Sequence, residues 1–78
     1  MATKEGNMED KQAICDALAA TLRLTRNHSD LDRIEYENDE ELGLEFATIY
    51  WNGGTLRRTN VTMDSGSAML RDIMKVID

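Results

Sequence analysis

The chain has 78 residues, with 9 Lys and Arg against 15 Asp and Glu, giving a formal charge of −6 with its single His neutral. At 41% apolar and 31% charged it has the balance of one small globular domain rather than a disordered tail or a collagen-like chain. No apolar run approaches the ~20 residues of a bilayer span, and residues 1–6 are too polar for a signal peptide, so no membrane contact and a cytoplasmic location are expected.

Residues 1–6 are expected to be flexible and residues 7–78 to form a single α+β domain. A helix is predicted from Asn7 to about Leu24, because Ile14, Leu18, Thr21 and Leu22 recur at the spacing of an apolar helical stripe. Ala13, Ala17, Ala19 and Ala20 favour it, Asn7 is its candidate N-cap, and Arg23 and Arg26 suit its negative end. Cys15 lies mid-helix beside Ile14, where it reads as a small buried hydrophobe rather than a nucleophile. A lone cysteine makes no internal disulfide, and with His28 it falls short of a structural zinc set.

The turn formers Asn27, His28, Ser29 and Asp30 end the helix. His28, Ser29 and Asp30 are adjacent, but a catalytic Ser-His-Asp set is assembled from separate elements, so a turn role fits them better. A first strand is predicted over 31–38, where Ile34 and Tyr36 alternate with Arg33, Glu35 and Glu37. Asp39, Glu40 and Glu41 follow in a turn that lacks EF-hand spacing, so no metal is assigned to them.

A second strand is predicted over 44–51, closed by Asn52-Gly53-Gly54 into a tight hairpin with a third strand over 55–63. A two-residue loop there pairs even positions of the second strand with odd positions of the third. One face then holds Leu44, Phe46, Thr48, Tyr50, Val61 and Met63 and is assigned to the core. The other holds Glu45, Ala47, Ile49, Trp51, Leu56, Arg58, Asn60 and Thr62. Asp64, Ser65, Gly66 and Ser67 offer N-caps for a final helix carrying Met69, Leu70, Ile73, Met74, Val76 and Ile77. The expected fold is α-β-β-β-α, a three-stranded antiparallel sheet with both helices on one face.

Charge is uneven: residues 28–46 carry −7, residues 1–27 are neutral and residues 47–78 carry +1. Such a strip is either a solvated edge strand kept from pairing by its charge or a docking face that steers basic partners and repels nucleic-acid phosphate. Ile49, Trp51, Leu56 and Arg58 have the composition of interface anchors, unless the chain covers Trp51 with its own N-terminal segment or a helix. No P-loop, G-x-G-x-x-G, C-x-x-C or H-E-x-x-H motif occurs, and no cofactor is expected.

The element order resembles the double-stranded-RNA-binding domain, whose second helix opens with lysines. Here Ser65, Gly66, Ser67 and Ala68 stand there, so RNA binding is not carried over. The run Asn60-Val61-Thr62-Met63-Asp64-Ser65-Gly66-Ser67-Ala68-Met69-Leu70-Arg71-Asp72-Ile73 is similar to small acidic accessory proteins of bacterial prophages and mobile elements. That resemblance implies inhibition of a host defence protein, in the manner of anti-CRISPR proteins, and no catalytic residues.

The expected function is therefore non-catalytic: Glu35, Glu37, Asp39, Glu40 and Glu41, with Ile49, Trp51, Leu56 and Arg58, engage a protein that has a basic, nucleic-acid-binding surface. The alternative is a small homodimeric interaction protein whose acidic strip only gives solubility.

Overall fold

The computed structural model describes residues 10–78. The expected flexible segment and the Asn7 cap lie outside the described residues. Helix α1 (Lys11–Arg23) is capped by Asp10, whose carboxylate accepts from the Ala13 N–H at 3.0 Å. Its buried stripe is Cys15, Ala19 and Leu22. This is rotated by about one residue from the predicted stripe: Ile14 and Leu18 are half-buried, and Thr21 is exposed with its hydroxyl donating to the Ala17 carbonyl.

Strands β1 (Leu31–Asp39), β2 (Leu44–Trp51) and β3 (Leu56–Asn60) form an antiparallel sheet in that order. Helix α2 (Gly66–Ile77) follows, capped by the Ser65 hydroxyl on the Ala68 N–H and burying Met69, Ile73 and Ile77. Both helices and the sheet share one core, in which Leu31, Ile34, Ala47, Ile49, Val61, Met69 and Ile73 are sealed from solvent. The architecture is α+β in the order α1-β1-β2-β3-α2, as the residue pattern predicts. Among the described residues no helix is long and apolar enough to cross a membrane.

The predicted sheet faces are inverted. The hairpin between β2 and β3 has three loop residues, Asn52, Gly53 and Gly54, not two: the Trp51 N–H donates to the Thr55 carbonyl at 2.9 Å, and Gly54 turns the chain with φ +92°. Pairing then runs Tyr50 to Leu56, Thr48 to Arg58 and Phe46 to Asn60, even with even. The turn between β1 and β2, with Gly43 at φ +68°, sets Ile34 opposite Ile49 and Tyr36 opposite Ala47. The helices therefore cover the face of Ile34, Tyr36, Ala47, Ile49 and Trp51. The face of Leu44, Phe46, Thr48 and Tyr50, assigned to the core from the sequence, is the open one. A bulge in β1 between Leu31 and Arg33 turns Leu31 back toward the core despite its odd spacing from Ile34.

Candidate interaction surface

The open face is made by three strands. β1 contributes Arg33, Glu35, Glu37 and Asp39, β2 contributes Leu44, Phe46, Thr48 and Tyr50, and β3 contributes Leu56, Arg58 and Asn60. Its two aromatic rings do not lie bare. The Arg58 guanidinium sits 4.2 Å from the Phe46 ring centre and donates to Glu37 at 2.8 Å. Arg33 lies 4.0 Å from the Tyr50 centre and donates to Glu35 at 2.9 Å and Asp32 at 2.6 Å. Hydrogen bonding to Glu35, then to Asp32, raises the Arg33 pKa further. These ion pairs are half-exposed, so each adds little to stability, but they set where the arginines rest.

Two of the five acidic residues singled out in the sequence, Glu35 and Glu37, thus already have basic partners. Asp39, Glu40 and Glu41 have none among the described residues; Asp39 only turns the chain, its carboxylate accepting from the Leu42 N–H at 3.2 Å. At this end of the sheet lies a hollow of about 390 Å³. Glu37, Asp39, Glu40 and Glu41 line it together with Asn38, and Phe46 and Arg58 form its apolar and basic wall.

The four apolar and basic anchors separate. Ile49 is fully buried under the helices and has no surface to offer a partner. Trp51 is half-buried on the same face, packed on the core, with the Arg57 guanidinium 5.7 Å from its ring centre. Leu56 and Arg58 lie on the opposite, open face, and Leu56 is 54% exposed. The three-residue hairpin is what divides them. Arg33, Phe46, Tyr50 and Arg57 were not singled out in the sequence. The alternating charges of β1 marked the outer face correctly, and only the turn lengths were needed to carry that mark across to β2.

On the helix face, Glu45 ties the sheet to α1 and to the β3–α2 turn. It accepts from Lys11 at 2.6 Å, from the Tyr36 hydroxyl at 2.6 Å and from the Met63 N–H at 2.9 Å. These three donors, Lys11 first, hold its carboxyl down at about 2. Burial, with Glu45 beside it, pushes the Tyr36 phenol up to about 12. Asp64 has one carboxyl oxygen buried with no hydrogen-bond partner among the described residues, and its pKa is raised, first by the neighbouring Asp72 carboxyl and then by burial.

His28 lines a separate cleft of about 370 Å³ with Asn27, Asp30, Trp51 and Arg57, and its Nε2 is 3.8 Å from the Asp78 carboxylate. Cys15 is buried, and desolvation pushes its thiol up to about 11. Among the described residues no three His, Cys, Asp or Glu side chains converge to hold a metal ion. Comparison with family models, curated proteins and solved structures finds no match to this chain.

Proposed function

We propose that the protein acts by contact rather than catalysis, and that its acidic hairpin end occupies a basic, nucleic-acid-binding surface of another protein. The observation that carries this reading is the hollow beside the hairpin, where Asp39, Glu40 and Glu41, which have no basic partner among the described residues, line a cavity together with Phe46 and the paired Glu37 and Arg58. A lysine or arginine from a partner would set its charge among the carboxylates, and its alkyl stem would reach the ring by displacing Arg58, whose guanidinium lies 4.2 Å from the ring centre. The Phe46 face is already used this way by Arg58 from within the chain. Inhibition of a host defence protein is the setting that the resemblance to mobile-element proteins implies.

The buried Cys15 supports a non-catalytic reading, because a thiol pushed up to about 11 supplies little thiolate at neutral pH. The test is capture of binding proteins on the wild-type chain and on a chain carrying D39N, E40Q and E41Q. Proteins held by the first and lost from the second support the reading, and equal retention contradicts it. A second reading, homodimerisation through the helix layer, is favoured by an apolar groove of about 300 Å³ between α1 and α2, lined by Ile14, Ala17, Leu18, Thr21 and Leu70. Molecular mass that rises with concentration, and falls again on Leu18→Glu, would support it.

A further inference from the structure

Arg58 fills, from within the chain, the place on Phe46 that a partner's cation would take. It rises from β3 opposite Thr48 and crosses β2 to reach Glu37 on β1, the residue that pairs directly with Phe46. Its guanidinium lies 4.2 Å from the ring centre, and one nitrogen of the fork donates to Glu37 at 2.8 Å. Asp39, Glu40 and Glu41 line the same hollow, and Arg58 pairs with none of them. The Arg58 and Glu37 side chains are 51% and 55% exposed, so their contact is weakly held and open to exchange. The open face repeats the arrangement: Arg33 lies 4.0 Å from the Tyr50 centre and donates to Glu35 and Asp32. Each aromatic ring of this face thus carries a guanidinium held by a β1 carboxylate.

We infer that the hollow selects arginine over lysine on its partner, and that Arg58 is an internal stand-in which the partner's guanidinium displaces from Phe46 and Glu37. The inference rests on the hollow being the contact site and adds the chemistry of its occupant. A guanidinium is planar and weakly hydrated, so it lies flat on a ring while its N–H groups bond carboxylates at the ring's edge. An ammonium is a compact, strongly hydrated point charge, and it gains less from the same ring. Asp39, Glu40 and Glu41 attract either cation. Phe46 and Glu37 discriminate between them. Arg58 keeps Phe46 covered in the free chain and lowers affinity for the incoming side chain by the strength of its own contact.

The test uses the full chain and two capped five-residue peptides, one alternating glycine and arginine, the other glycine and lysine, followed by NMR. The arginine peptide should bind at least about threefold tighter than the lysine peptide, shift residues 37–41 and the Phe46 ring, and move the Arg58 side-chain signals. Arg58→Ala should tighten the arginine peptide by about threefold or more and the lysine peptide less, whereas loss of one positive charge alone would tighten both equally. Phe46→Leu should erase the preference and leave both peptides bound; should that variant fold poorly, the substitution at exposed Arg58 decides. The D39N, E40Q, E41Q chain separates two failures. Peptides that bind the wild-type chain equally, or tighten equally on Arg58→Ala, and are lost from that chain overturn the arginine preference and leave the hollow a contact site. Peptides retained by that chain, or shifting nothing at residues 37–41 of the wild type, overturn both.

Discussion

Arg58 reaches across the open face to Glu37, its guanidinium donating at 2.8 Å while lying over Phe46. One cation of β3 thereby neutralises part of the acidic strip of β1. The charge left for a partner is concentrated at Asp39, Glu40 and Glu41. Neutralising those three should slow partner association more than neutralising Glu35 and Glu37, with the difference shrinking as salt rises, since exposed charges are screened over ~10 Å at 0.1 M. Stopped-flow or surface-based on-rates for the two variants measure this.

Trp51 belongs to the helix face and packs on the core. Trp51→Ala should therefore lower unfolding stability by about 2–3 kcal/mol, read by denaturant melts. An unchanged midpoint with lost partner binding would instead put Trp51 at an interface.

Glu45 gives the fold an acid-sensitive joint. Its carboxyl titrates at about 2 in the folded chain against an ordinary 4.5, so folding favours the ionised form. The stability it contributes is complete above about pH 4.5 and is lost as pH falls from there toward 2. Glu45→Gln should cost about 2 kcal/mol at neutral pH, because charged hydrogen bonds to Lys11 and Tyr36 go with it. The cost should shrink across that acid range in melts taken at successive pH values.

Met63 holds a left-handed backbone with φ +67° while its side chain is 89% exposed. Glycine adopts that conformation without strain, so Met63→Gly should raise stability by about 0.5–1 kcal/mol in thermal melts. A loss would mean the exposed methionine side chain is holding the turn.

The element order was legible because each element carries its own local signal: alanines and a stripe in α1, alternation in β1, serine caps before α2. The choice of core face was not, because both faces of β2 are apolar: Leu44, Phe46 and Tyr50 on one, Ala47, Ile49 and Trp51 on the other. Alternation alone does not separate two such sets. Turn length does, and Asn52-Gly53-Gly54 fits a two-residue or a three-residue loop; Gly54 at φ +92° realises the longer one. That single residue moves Leu56 and Arg58 away from Trp51 to the open face. The covering of Phe46 and Tyr50 by Arg58 and Arg33 was equally hidden, since it joins residues brought together only by strand register.

The most direct measurement of the proposed function is competition between the chain and nucleic acid for a captured partner. Once a protein is retained by the wild-type chain, increasing duplex DNA or RNA should displace it, and the D39N, E40Q, E41Q chain should fail to hold it at the same salt. A partner held equally by both chains, and indifferent to nucleic acid, would contradict the account.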